Sequence, residues 1–326
     1  MVSGAAAALL AALGCLPASA PGALVPSTVD EDPSLPSITL TIAGHSRGVH
    51  LRTFGDPADP VLLMLHGSLA DHRAFLPYEV LADRYFVVMW DQRGSGLSER
   101  LTADEYTWRS VADEIDAVKQ RYSPDAPVTL IGHSFGAMYA TLYMAGRPEA
   151  VSRAVLMEPG GLTGDIFAAT YPDIFTLSLL GEGLNRSFWQ SEVLSASDHE
   201  VMDYKALQLL LDGHQTHYHC DPDAPYPLPV WRPGAHVEHL RGVNMQVSGS
   251  ATITADYDFT VGLDDFTGPV LIIAGDCSGL GPAMQEEHHL PLFQDASLVT
   301  LPGVGHRMLV EDFEGTLAAI EAFLTP

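Results

Sequence analysis

Val128-Thr129-Leu130-Ile131-Gly132-His133-Ser134-Phe135-Gly136-Ala137-Met138-Tyr139 decides how the rest of the chain is read. A short apolar run ends in Gly-His-Ser-Phe-Gly, and a stretch of helix-forming residues follows to Gly146. That order predicts a buried strand, a tight turn and a helix, with a serine at the apex. Glycine at 132 and 136 suits a turn so tight that larger side chains would strike the strand and the helix. Such a turn lifts the Ser134 hydroxyl above the sheet and lets the Phe135 N–H point at a developing oxyanion. A serine hydroxyl is a weak nucleophile until a base takes its proton, so the rest of the chain is searched for that base.

Outward from this stretch the same rhythm repeats. Val61–Leu65, Tyr85–Trp90, Ala154–Met157 and Val270–Gly275 are continuous apolar runs, as expected of strands covered on both faces. Ser297–Leu301 is a shorter one, and Ile38–Ala43 with Gly48–Phe54 reads as a strand pair around a turn at Gly44–Arg47. Trp108–Arg121 sets Val111, Ile115 and Val118 on one helical face, with Asp113, Glu114 and Asp116 mainly on the wet side. Glu311–Leu324 repeats the pattern with Phe313, Leu317, Ile320 and Phe323. Strands alternating with helices predict an α/β fold with a mostly parallel central sheet. The rhythm breaks from about 160 to 267, where short helical runs (Asp165–Leu180, Ser197–Asp212) flank a Pro- and His-rich loop, His214–Pro233. Residues 37–159 and 268–326 therefore read as one core, and 160–267 as an inserted, mainly helical cap.

Composition narrows the function classes. Hydrophobic residues make up 47% of the 326 positions and charged ones 17%, enough to bury a large core and to exclude wholesale disorder. The formal charge of -25, with Lys119 and Lys205 the only lysines, repels phosphate backbones. Nucleic acid is thereby a poor partner, and so is an anionic membrane surface. Past the N-terminus no apolar run reaches the ~20 residues of a transmembrane span. The three cysteines, Cys15, Cys220 and Cys277, do not make a disulfide scaffold and have no zinc-ribbon spacing. Oligomeric state is not legible.

Residues 1–36 read as a leader plus linker. An apolar stretch ends in Ala18-Ser19-Ala20, like a secretory cleavage site, while Ala12-Leu13-Gly14-Cys15 loosely matches a lipoprotein cleavage box. Either implies a secreted or periplasmic protein, lipid-anchored at Cys15 in the second case. Without a functioning signal the expectation is cytoplasmic. Cys220 and Cys277 would survive cleavage and are free to pair in an oxidising compartment.

The base is expected at His306, in Pro302-Gly303-Val304-Gly305-His306 between the last strand and the last helix. His133, beside the serine, is expected to pack beneath the turn. His66-Gly67-Ser68 follows the VLLML strand, where the Ser68 N–H is placed to be a second oxyanion donor. In Asp91-Gln92-Arg93-Gly94-Ser95-Gly96-Leu97-Ser98, Asp91 and Arg93 are expected to tie down a Gly-rich loop. Serine followed by a late histidine, DQRGSGLS, GHSFG and PGVGH together resemble the α/β-hydrolases, and within them the proline iminopeptidase group of serine hydrolases. The resemblance spans about residues 44–326 and implies a serine hydrolase acting on a small ester, amide or short peptide, without a cofactor. Proline iminopeptidases carry HGGPG where this chain has HGSLA and GGSWG where it has GHSFG, so an esterase or carbon–carbon hydrolase on the same residues is the alternative. A catalytically inactive hydrolase-fold binding protein is the rival outside enzymes.

The resemblance places the triad acid three residues after the glycine closing the penultimate strand, and there this chain has Ser278. Two carboxylates compete for the role. Glu158 ends the AVLM strand, where some haloalkane dehalogenases carry their acid, and Asp276 lies two residues early. Glu158 is preferred, with Asp276 the alternative. In the insertion, His214, His217, His219 and Cys220 match no tight zinc pattern, so no metal is expected. Acidic cap residues (Glu182, Glu192, Glu200, Asp203) fit either a substrate ammonium or a solvated face.

Overall fold

The computed structural model describes residues 26–170, 203, 219–221, 231–233, 235, 246, 247, 253, 254 and 257–325. Eight strands form one sheet: β1 (Ser37–Ile42), β2 (His45–Phe54), β3 (Val61–Leu65), β4 (Phe86–Trp90), β5 (Val128–His133), β6 (Val151–Met157), β7 (Val270–Gly275) and β8 (Ala296–Leu301). Their order is β1-β2-β4-β3-β5-β6-β7-β8. β2 pairs antiparallel with β1 and with β4, and every other pairing is parallel.

Strand alternation explains why the runs are apolar throughout. On β3, Leu63 and Leu65 enter one core cluster while Leu62 and Met64 enter the other. On β4, Val88 and Trp90 take the first side, and Val87 and Met89 the second. A strand with period-two side chains and both faces covered turns apolar side chains to both cores. Helices α1 (Trp108–Tyr122) and α2 (Phe135–Gly146) cover the first face. The segment His72–Asp83 covers the second, as does α4 (Phe313–Leu324), which follows α3 (Gly164–Thr170) in the chain.

Three local expectations are corrected. The first hairpin turns at Ala43-Gly44, both with positive φ (50° and 88°), and Ile42 pairs directly with His45, so the strand starts before Gly48. A two-residue turn with two left-handed residues matches the strand twist better than the four-residue turn expected. Second, the final helix starts at Phe313 rather than Glu311: Asp312 accepts from the Gly315 N–H and caps α4, and Glu311 ends the preceding turn Met308–Glu311. Third, Glu114 is buried rather than wet, because Trp90 Nε1, the Arg93 backbone N–H and Arg93 Nε all donate to its carboxylate.

β6 and β7 are neighbours, with Ala154 opposite Val270, so the chain leaves the sheet after Met157 and returns beside the strand it left. Within that excursion the described residues include α3, a two-residue ladder of Gln246–Val247 with Ile253–Thr254, and a bridge between Thr163 and Asp258. The leader to residue 25, the helix expected at Ser197–Asp212 apart from Asp203, and most of the loop His214–Pro233 lie outside the described residues. Among the described residues no helix is long and apolar enough to cross a membrane.

Candidate active site

Ser134 stands between β5 and α2 with φ 55° and ψ −121°, a backbone region that residues with side chains avoid. The turn is held from three directions. The Ser134 N–H donates to the Met157 carbonyl at 2.9 Å, and its own carbonyl accepts from Ala137 and Met138 at 3.0 and 3.1 Å. Glycine at 136 is compulsory, since a Cβ there would sit 2.0 Å from the Leu65 carbonyl oxygen at the end of β3. Close approach of α2 to β3 also brings the loop after β3 against the serine: a Cβ on Gly67 would lie 2.9 Å from the Ser134 Cβ. Ser68 follows Gly67 in that loop, and Phe135 is the first residue of α2. Phe135 lies in the turn whose N–H groups a helix does not itself use.

His306 follows β8 and is anchored at both ends of its own structure. Its Nδ1 lies 2.6 Å from Glu158 Oε2, and its carbonyl accepts from His133 Nε2–H at 2.7 Å. The two imidazole rings are 4.7 Å apart. Burial, with the neighbouring His306 adding to it, pushes the His133 pKa down to about 3, so this ring is neutral and serves as a fixed donor.

Glu158 ends β6 with φ 41° and is fully buried. Its Oε1 accepts from the Gly275 N–H at 2.7 Å, and its Oε2 accepts from the Ser278 hydroxyl at 2.7 Å besides facing His306. Both oxygens of this buried carboxylate are thereby met by donors inside the protein, in place of solvent. Facing a carboxylate, Nδ1 is the nitrogen that carries the imidazole proton, and Nε2 is the one able to accept another. Asp276, the other candidate, accepts from the Gly303 N–H at 2.7 Å instead and braces the loop that leads to His306. The structure thus brings Glu158 and His306 together and seats Asp276 elsewhere.

A second polar cluster gathers around Asp91. Asp91 accepts from the backbone N–H groups of His72 and Leu97, both at 2.8 Å. His72 Nδ1 lies 2.7 Å from its Oδ1 and His50 Nδ1 3.1 Å from its Oδ2. Burial pushes the Asp91 carboxyl up, but the hydrogen bonds and charges of these two imidazoles outweigh it and hold it far below the usual range. Arg93 points away, to Glu114 and the Ser110 carbonyl. At the rim, His219 Nδ1 lies 3.1 Å from Glu311 and 3.3 Å from Arg307 Nε, and Cys220 is disulfide-bonded to Cys277 with Cα atoms 5.0 Å apart. A disulfide sulfur is not a thiolate ligand, which removes Cys220 from any metal set; His214 and His217 lie outside the described residues.

Sequence reasoning missed Gln285 and His289. Gln285 is buried, and its amide donates to the carbonyls of Pro159 and Leu280 at 3.1 and 2.8 Å while accepting from His289 Nδ1 at 2.7 Å. Their spacing of one helical turn, just after Pro282, was the only available sign.

The chain is similar to several known hydrolases. Over 271 residues, 81% of this chain and 88% of the relative, it is 26% identical to a 2-(acetamidomethylene)succinate hydrolase of Mesorhizobium japonicum. It is 31% identical to a proline iminopeptidase of Pestalotiopsis fici over 109 residues, 32% of this chain and 38% of that one. The solved proline iminopeptidase of Mycobacterium smegmatis superposes with a TM-score of 0.60 at 21% identity, covering 88% of this chain and 97% of that one. The profile described as the alpha/beta hydrolase fold matches residues 60–313, most of the chain, and the chain belongs to that family.

Proposed function

We propose that this chain is a serine hydrolase that cleaves a small ester, amide or short peptide through an acyl-enzyme on Ser134. The observation that carries the reading is the 2.6 Å contact between His306 Nδ1 and buried Glu158, on a histidine whose carbonyl is held by His133, the residue before a serine at positive φ. With Nδ1–H committed to the carboxylate, Nε2 of His306 takes the Ser134 proton as Oγ attacks the carbonyl carbon. The N–H groups of Ser68 and Phe135 receive the oxyanion. His306 then returns the proton to the leaving group, and water repeats the sequence to release the acid. Residues 160–267 act as a cap that limits access to small substrates. Residues 1–36 act as an export signal followed by a linker, and the Cys220–Cys277 disulfide supports an oxidising compartment.

Within hydrolases, the loop after β3 favours esters or other small acyl compounds over proline release. Leu69 has φ 58°, and a proline ring locks φ near −65°, so the HGGPG path cannot be followed here. The similarity to a hydrolase named for a small molecule, 2-(acetamidomethylene)succinate, supports the same direction. A fluorophosphonate probe should label wild type at Ser134 and leave Ser134→Ala unlabelled. Absence of labelling in folded wild type would transfer the chain to the inactive, binding class. On a substrate panel, short p-nitrophenyl esters should be turned over faster than a prolyl anilide at equal concentration. A much larger kcat/KM on the prolyl substrate restores the iminopeptidase reading.

A further inference from the structure

A glutamate is a demanding choice of triad acid. It has one more rotatable bond than aspartate, and here it springs from a left-handed backbone at the end of β6. Its carboxylate reaches His306 correctly only if something outside β6 fixes the far end. That support comes from the turn after β7. The Gly275 N–H takes Oε1, and the Ser278 hydroxyl takes Oε2, the same oxygen that faces His306. Ser278 Oγ in turn accepts from the Leu280 N–H at 3.1 Å, so the hydroxyl's proton is directed to the carboxylate and nowhere else.

The turn itself is braced on both sides. Behind it, Gln285 donates to Leu280 and to Pro159, the residue after the acid, and so ties the ends of β6 and β7 to one buried amide. His289 holds the Gln285 oxygen, leaving that amide no rotational choice. In front, Cys277 is covalently joined to Cys220, and the Cys277 N–H donates to Val304, two residues before His306. Hydrogen bonds arranged head to tail in a dry interior reinforce one another. The chain from Leu280 N–H through Ser278 to Glu158 ends on the histidine.

We propose that Ser278 is a positioning residue for the reaction, holding the Glu158 carboxylate in register with His306, and that Gln285 holds the turn that carries Ser278. Ser278 does not touch the substrate; it acts through Glu158. This rests on the Ser134–His306–Glu158 reading above.

The test is a double-mutant cycle on a p-nitrophenyl ester, using the full chain with its disulfide intact. Ser278→Ala in the wild-type background should lower kcat about tenfold or more, as loosened catalytic geometry does, with KM within twofold. Ser278→Thr, which keeps the hydroxyl, should recover most of the loss. In the Glu158→Gln background Ser278→Ala should cost less than twofold, because the group it acts through is gone. A folded Ser278→Ala enzyme with wild-type kcat overturns the proposal, and so does a loss that persists in full beside Glu158→Gln. If Ser278→Ala does not fold, Gln285→Met is read through the same cycle and must show the same vanishing loss. Should Glu158→Gln itself leave kcat unchanged, the triad reading fails first; if it collapses kcat while both positioning variants are silent, only the present inference fails.

Discussion

Leu69, Ser134 and Glu158 are three of the five non-glycine residues with positive φ among the described residues, and all three stand at the strand ends where the site is built. Each such conformation costs about 1–3 kcal/mol and persists only where the surroundings impose it. For Ser134 and Glu158 the imposing contacts are visible: backbone bonds to Met157 and Ile273, and the donors around the carboxylate. The residue-scale prediction follows from the different partners of the two acids. Glu158→Gln keeps the shape but removes the charge that selects the His306 tautomer, so kcat should fall by as much as ~10⁴ with KM little changed. Asp276→Asn loses a loop brace at Gly303 and should cost less than about tenfold, or show as a folding defect. The reverse pattern in steady-state kinetics would hand the role to Asp276. Both carboxylates were legible in the sequence as candidates, since both sit at strand ends. What was not legible is that Ser278 donates to one of them, because a hydroxyl near an acid leaves no spacing pattern.

α2 and the strand before it were readable in full, because glycine, serine and an apolar run at fixed offsets leave few alternatives. The reason is steric: a Cβ at position 136 meets the Leu65 carbonyl at 2.0 Å, and backbone on both sides has nowhere to move. Gly136→Ala should therefore push α2 off β3 and destabilise the fold by about 1–3 kcal/mol or more, read as a drop in the denaturant midpoint. An unchanged midpoint would mean that the helix and strand are farther apart than described. Other elements were harder to read for reasons equally local. Glu114 looked solvated because its three donors, from Trp90 and Arg93, lie some twenty residues away in sequence. Asp312 looked like one more helical residue because the apolar periodicity continues across it, while its side chain caps the next helix.

At the level of the whole molecule, the buried histidines set the response to acid. His133 and His289 have pKa values pushed down to about 3 by burial, and burial lowers His66 as well. Below pH ~6.5 the unfolded chain takes up protons at these positions and the folded chain does not, so stability falls as pH falls. For His133 and His289 the contribution is complete above ~6.5 and shrinks by about 1.4 kcal/mol per pH unit each toward pH 3. Urea midpoints measured from pH 7.5 to 5.5, where most carboxylates stay charged, should decline steeply, and His289→Gln should lessen the slope. A flat profile would contradict the burial of these rings. The sheet order has a consequence for synthesis. β6 pairs with β7, Ala154 with Val270, so on the ribosome β1–β6 are finished long before their last partner emerges. Through that interval Val155, Leu156 and Met157 border an open edge with unpaired N–H and carbonyl groups, a surface prone to sticking to other chains. The same delay orders the chemistry: a nascent chain has its serine turn complete while Glu158 still lacks Gly275 and Ser278. The acid is seated last, when the sheet closes.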